Sequence, residues 1–163
     1  MSDSIELQPA KLSDAVVLGL MSRDLIELGL GWSWRRSRII RHITSADSVV
    51  LVARHLGRVA GFAIMRFGQE EAHLDLLAVR PKYRRAGLGR RLVEWLEKSA
   101  LMAGISVIYL EVREVKSDAR AFYEKLGYRP VKRLPGYYRG RESAICMGRD
   151  LWSSVPSAST RQK

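Results

Sequence analysis

The segment Leu77-Ala78-Val79-Arg80-Pro81-Lys82-Tyr83-Arg84-Arg85-Ala86-Gly87-Leu88-Gly89-Arg90-Arg91-Leu92 passes from an apolar strand into a helix through one short basic turn. Upstream, Ala72 to Val79 reads as a strand that Pro81 ends. Downstream, Leu88, Leu92, Trp95 and Leu96 recur at the i, i+4, i+7, i+8 spacing of an amphipathic helix that Gly104 closes. Gly87 and Gly89 carry no Cβ, so the backbone there can approach a ligand closely. The first-turn N–H groups of a helix lack intrahelical partners and sit at the positive end of its dipole, an arrangement suited to a pyrophosphate. Arg84, Arg85 and Arg90 can add charge-assisted contacts. Two glycines alone serve equally well to shape a tight turn. Their spacing is not the dinucleotide fingerprint G-x-G-x-x-G, and no G-x-x-x-x-G-K-[ST] loop occurs, which argues against nucleoside triphosphate hydrolysis.

Outward from this turn the pattern is regular. Ser48 to Arg54 and Val59 to Phe67 are β-branched and apolar runs joined at Leu56-Gly57, as in a hairpin. Ile5 to Leu7 reads as a short strand, Asp14 to Leu28 as a helix with Ser13 available to cap it, and Ser33 to His42 as a partly exposed helix. Beyond the basic turn come a strand at Ser106 to Arg113, a helix at Ser117 to Leu126 stopped by Gly127, and strands at Pro130 to Tyr138 and Ser143 to Met147. The expected fold is therefore α/β: a mixed, mostly antiparallel sheet of about seven strands flanked by about four helices. A chain of 163 residues, 47% of them hydrophobic, suits one domain, expected over 1–152, followed by a polar tail expected to be disordered over 153–163.

Composition narrows the chemistry. The single cysteine, Cys146, excludes an intrachain disulfide and reads as a small core residue, and the three histidines show no metal-ligand spacing, so no metal is expected. No stretch is long and apolar enough to span a bilayer, and the first residues lack the basic and apolar regions of a signal peptide, so the expectation is a soluble cytoplasmic protein. The formal charge of +11 favours polyanionic ligands but does not choose among nucleotide phosphates, RNA and acidic proteins.

Leu77-Ala78-Val79 followed by Arg84-x-x-Gly87-x-Gly89 resembles the acetyl-CoA motif of the GNAT (Gcn5-related N-acetyltransferase) superfamily, and the order of elements matches as well. The resemblance implies that Leu77, Ala78 and Val79 line the pantetheine arm, while the loop Arg84, Arg85, Ala86, Gly87, Leu88, Gly89 and Arg90 holds the phosphates. A longer stretch, Leu110-Glu111-Val112-Arg113 through Ser117 and Tyr123-Glu124-Lys125-Leu126-Gly127-Tyr128, is similar to the branch that acetylates protein N-termini, including the N-terminal alanine of a ribosomal protein. Gly136-Tyr137-Tyr138 and Ala144-Ile145-Cys146-Met147 resemble that branch's closing tyrosine pair and last strand, so the likeness covers roughly 48–150. One departure is Asp118, which stands where the branch has an asparagine that contacts CoA; a carboxylate cannot donate as an amide does, and a helix cap is the alternative use.

The chemistry accounts for these residue types. An attacking α-amine, which ordinarily titrates at about pH 8, must lose a proton, and the departing thiolate must gain one. Ile108, Leu110 and Val112 share one face of their strand and Glu111 the other, so Glu111 can reach a cleft as the base, through water. Tyr123 lies one step beside the helix stripe Ala119, Phe122, Leu126 and is the candidate general acid. Glu111 can instead pair with an arginine on the sheet, Tyr123 can simply pack, and His73 and Asp75 are reserve candidates for the base. Trp34, Tyr137 and Tyr138 are candidate walls of an acceptor groove, with ordinary packing as the alternative. The expected partners are acetyl-CoA and a protein N-terminus. The rival acceptor is a small amine, the rival class is a non-catalytic CoA- or RNA-binding module, and a homodimer is implied only by resemblance. No RNA-binding signature supports a nucleic-acid partner.

Overall fold

The computed structural model describes residues 4–153, so all but the first residue of the expected tail lies outside the described residues. Strand β1 (Glu6–Pro9) leads through a 3-10 turn to helix α1 (Ala15–Met21), and α2 (Arg36–Ile43) follows. Strands β2 (Ser48–His55), β3 (Arg58–Phe67) and β4 (Glu71–Val79) form a meander. A 3-10 turn at Pro81–Ala86 then enters α3 (Leu88–Met102), followed by β5 (Val107–Arg113), α4 (Ser117–Lys125), β6 (Arg129–Tyr138) and β7 (Glu142–Asp150). The seven strands form one sheet in the order β1-β2-β3-β4-β5-β7-β6, antiparallel throughout except at β4–β5. Among the described residues no helix is long and apolar enough to cross a membrane.

Each face of the sheet carries its own core. On one face, Leu88, Leu92, Val93 and Leu96 of α3 pack on Leu74, Ile108 and Leu110, with Phe122 of α4 and Leu126 just after it at the margin. On the other, Ala15, Leu18 and Met21 of α1 and Ile39 of α2 cover Val52, Phe62, Ile64 and Leu76. Trp95, expected in the apolar stripe of α3, instead sits at its rim and is partly exposed, and Val93 takes the buried place.

Two irregularities shape the centre. Ile64 pairs with Leu76 but the next residue, Met65, pairs with Leu74, so Asp75 is the extra residue of a β-bulge. An inserted residue reverses the alternation of faces: Ala72 and Leu74 belong to the α3-side core, whereas Leu76 and Ala78 belong to the α1-side core. The parallel ladder with β5 runs only from Glu71↔Val107 to His73↔Tyr109 and then stops. Beyond it β4 and β5 diverge, leaving the β5-facing edge of β4 without a strand partner and opening a cleft through the sheet.

The helix expected over Asp14 to Leu28 is broken. After Met21 the chain makes a π turn, Ser22–Ile26, closed by the Glu27 N–H donating to the Ser22 carbonyl at 2.8 Å. The cause is the buried Glu27 carboxylate, which accepts bonds from the Ser22 hydroxyl, the Ser33 N–H and hydroxyl, and the Trp34 N–H. Ser13 is not a cap; it lies inside the 3-10 turn Leu12–Asp14, where the Asp14 carboxylate accepts the Lys11 N–H at 2.7 Å.

Glu97 of α3 anchors the far end of the sheet. It is buried and accepts bonds from the Tyr128 hydroxyl at 2.9 Å and from Arg149 Nη1 at 2.8 Å. Arg149→Met removes the cation that pairs with this carboxylate and is expected to cost about 3 kcal/mol, because an uncompensated charge is left inside. A fall of about 1 M or more in the urea midpoint would register it. Adding Glu97→Leu to that variant should restore most of the loss.

Candidate active site

The cleft between β4 and β5 has three functional parts. At its mouth stands the start of α3. Gly87 precedes this helix with φ +76°, a left-handed conformation that suits glycine, and no side chain caps the end. A Cβ on Gly87 would meet nothing within 4 Å, whereas one on Gly89 would stand 3.1 Å from the Phe122 ring. Gly87 therefore serves backbone conformation, and Gly89 serves the close packing of α3 on α4. Leu88 is buried in the core, so it can offer a ligand only its backbone. Arg84, Arg85 and Arg90 are exposed around this end; Arg84 Nε donates to the Val79 carbonyl and Arg90 pairs with Glu94.

The second part is the free edge of β4. Ala78 is buried in the α1-side core, and Leu77 and Val79 pack against the α3-side core, so what this edge presents to the cleft is its backbone. An extended chain with amides of its own can pair with such an edge. The uncapped helix start, the surrounding arginines and the free edge together fit a long anionic ligand with a pyrophosphate at one end and an amide-bearing arm at the other.

The third part, at the foot of the cleft, is a hydrogen-bonded chain across β3, β4 and β5. Arg66 grips Asp75 with two bonds, Nε to Oδ2 at 2.7 Å and Nη2 to Oδ1 at 2.8 Å. His73 Nδ1 is 2.6 Å from Asp75 Oδ1, and its Nε2 is 2.7 Å from Glu111 Oε1. Both ring nitrogens face carboxylate oxygens, so both must carry a proton and the ring is an imidazolium. Burial opposes that charge, but the bonds and negative charges of Asp75 and Glu111 outweigh it and raise the His73 pKa to about 9. Burial likewise opposes the charge on Asp75, yet His73 and Arg66 hold its carboxyl below the usual carboxylate range. His73 and Asp75, two residues apart on β4, lie with Glu111 on the face opposite Leu74 and Leu110, and the bulge that follows turns Leu76 and Ala78 to that same face.

Glu111 thus pairs with His73, and not with a sheet-surface arginine. It also accepts a long bond, 3.4 Å, from the Tyr137 hydroxyl. Tyr137 is exposed and meets Tyr138 edge-on, with ring centroids 4.9 Å apart. On the α3 side of the sheet, Tyr123 of α4 packs its ring against Phe122 and Tyr128, and its hydroxyl has no hydrogen-bond partner among the described residues. Burial, with a contribution from the nearby Tyr138 phenol, pushes the Tyr123 phenol up and keeps it protonated. Cys146 stands opposite Glu111 in the β5–β7 register; burial and the Glu111 charge push its thiol up, which suits a structural residue and not a nucleophile.

Two expectations are corrected. Trp34 is 8% exposed within the α1-side core, with Arg38 stacked 3.8 Å over its ring and His42 beside it, so it packs and does not line the groove. Asp118 is no cap: Lys116 holds that position, and Asp118 lies exposed in the first turn of α4, where its charge favours the helix dipole. The residue that sequence reasoning missed is Arg66. Counting the β3–β4 register outward from the turn puts Phe67 opposite Ala72 and Arg66 opposite His73, which is the available signal.

The imidazolium carries a pH signature. A histidine pKa raised from 6.5 to about 9 contributes stability that is fully present below 6.5 and is lost as pH rises through about 9. The contribution is at most about 3 kcal/mol. The urea midpoint of the wild type should fall between pH 6 and pH 9.5, and the difference from His73→Gln should shrink over the same window; a constant difference would contradict the imidazolium.

The split, bulged sheet thus sets a basic helix start at the mouth of the cleft and the Arg66–Asp75–His73–Glu111 chain at its foot. The chain belongs to the Acetyltransferase (GNAT) family, whose sequence profile it matches over residues 21–128. It is 42% identical over 94 residues to the [ribosomal protein bS18]-alanine N-acetyltransferase of Escherichia coli K12, a match covering 56% of this chain and 64% of that relative's length. It is also 42% identical over 82 residues to an N-alpha-acetyltransferase of Saccharolobus solfataricus, covering 50% of this chain and 49% of the relative. The crystal structure of the Escherichia coli ribosomal-protein-S18-alanine N-acetyltransferase superposes with a TM-score of 0.80 at 26% identity, over 96% of this chain and 98% of that one.

Proposed function

We propose that this protein transfers the acetyl group of acetyl-CoA directly to an amine, and that the amine is the N-terminal α-amine of a protein or peptide. What supports this reading is the cleft: a free strand edge runs beside an uncapped, arginine-rimmed helix start, with Glu111 on one sheet face and, on the α3 side, a Tyr123 hydroxyl that has no hydrogen-bond partner among the described residues. Acetyl-CoA supplies the activated thioester. The amides at Leu88, Gly89 and Arg90, with Arg84 and Arg85, would hold its phosphates, and the backbone of Leu77 to Val79 its pantetheine arm.

On the acceptor side, Glu111 takes the proton that the α-ammonium must lose before it can attack, directly or through one water. His73 Nε2, 2.7 Å from Glu111 Oε1, orients the carboxylate. Asp75 and Arg66 fix His73 in turn. On the leaving side, Tyr123 gives its phenolic proton to the departing thiolate and regains one from solvent. No side chain is acylated in this scheme, which agrees with a cleft whose one thiol, Cys146, has its pKa raised. The choice of an α-amine over a small amine rests on the exposed Tyr137 and half-buried Tyr138 beside Glu111, which can hydrogen-bond a peptide backbone, and on the N-terminal acetyltransferases among the relatives.

The test is CoA-thiol release from acetyl-CoA against a panel of N-terminal peptides, polyamines, aminoglycosides and free amino acids. Peptides should turn over with kcat/KM at least about tenfold above any small amine. The reverse ranking would reassign the acceptor class, and acetyl-CoA that fails to bind would overturn the reading.

A further inference from the structure

A cavity of about 500 Å³ lies between the loop at Gly29–Gly31 and the turn joining β6 to β7, lined by Leu30, Tyr138, Arg139, Arg141 and Glu142. Its two walls are tied together. Arg113 donates to both Glu142 carboxylate oxygens, at 2.5 and 2.8 Å, and to the carbonyls of Ile26 and Leu28 on the opposite wall. The Arg139 guanidinium lies over Gly31, where a Cβ would stand 2.7 Å from its Cζ. Arg139 is also one of two non-glycine residues with positive φ among the described residues, at +56°, a conformation that costs free energy and that the turn nevertheless maintains.

The charges of this mouth do not balance. Glu142 is neutralised by Arg113, Asp24 by Arg23 and Glu114 by Arg133, while Glu27 is buried among its serine and backbone donors. Glu142, the one carboxylate among the lining residues, therefore has its partner, as do these acidic residues of the neighbouring segments. Arg139 and Arg141 are exposed and form no salt bridge among the described residues, so two guanidinium groups that line this cavity with Tyr138 are left without a carboxylate. Each can take a carboxylate with paired N–H donors. Tyr138 lines this cavity and neighbours Tyr137, which bonds Glu111. A peptide with its amine at Glu111 would thus run past Tyr138 and pass the arginines within its next few residues, each spanning about 3.5 Å.

We infer that the acceptor is an acidic N-terminus, with aspartate or glutamate among the few residues after the acetylated one, whose carboxylates Arg139 and Arg141 receive. This rests on the α-amine reading above and narrows it. It assigns a use to part of the net charge of +11 that the phosphate end of the cleft does not absorb.

The experiment compares two peptides with the same first residue, one carrying aspartate and glutamate at the second to fourth positions and the other lysine and arginine, with wild type and with the double variant Arg139→Gln, Arg141→Gln. The wild type should favour the acidic peptide by about tenfold or more in kcat/KM, chiefly through KM, and the preference should weaken with added salt. The double variant should lose that preference while its kcat on saturating acidic peptide stays within about twofold. Equal use of both peptides, or a preference that survives in the double variant, overturns the inference and leaves the α-amine reading standing. Failure of both peptides while a small amine turns over overturns the two together.

Discussion

Tyr123→Phe should lower kcat for acetyl transfer by about 10² to 10⁴, the contribution typical of a positioned general acid, with little change in KM for either substrate. The variant removes one oxygen and nothing else. The ring keeps its edge contacts with Phe122, centroids 5.1 Å apart, and with Tyr128, 5.8 Å apart. The lost hydroxyl leaves no protein partner unsatisfied, so the folded state should lose almost no stability, and the thermal midpoint is the control. A kcat within about threefold of wild type would mean that the thiolate takes its proton from solvent. Tyr138 is a weaker alternative donor, since its half-buried phenol lies on the acceptor side with Tyr137.

Glu111→Gln should lower kcat at neutral pH by about tenfold, for a different reason. The amide cannot accept the ammonium proton, so transfer must draw on the small fraction of acceptor that is already neutral. The loss should therefore shrink as pH rises past about 8, the ordinary pKa of an α-amine. The same variant takes away one of the two anions that hold His73 protonated, and the pKa of about 9 should fall, which a histidine proton NMR titration reads directly. A variant that is slow at every pH but leaves the His73 titration unchanged would place Glu111 outside the chain of bonds described here.

Much of the architecture is legible in the sequence because it rests on short-range signals. Leu56-Gly57 marks a hairpin and has positive φ at both residues, Gly127 stops α4 with φ +101°, and alternating apolar residues mark β4 and β5 within a residue or two of their ends. What the sequence does not disclose depends on long-range register. The bulge at Asp75 has no local signature, yet it decides that Leu76 and Ala78 turn to the α1-side core while Leu77 and Val79 pack on the α3 side. The pairing of β4 with β3 and β5 is equally long-range: without it three candidate bases are three alternatives, and with it they become one connected group that also includes Arg66. The π turn after Met21 is invisible for a similar reason, since it answers to Glu27 collecting donors from Ser33 and Trp34, 6 and 7 residues away. Trp34 shows the opposite failure. An aromatic among arginines reads as a surface residue, but the arginine stacks on the ring while the ring itself fills the core.

Acetyl transfer to an α-amine is tested most directly by incubating the protein and acetyl-CoA with two copies of one acidic peptide, one with a free and one with a blocked N-terminus, and following CoA release together with the peptide mass. The account predicts one acetyl group on the free peptide, located by fragmentation at the α-nitrogen, one CoA released for each, and no reaction with the blocked peptide. Acetylation of the blocked peptide on a side chain, or CoA release without acetylated product, would contradict it.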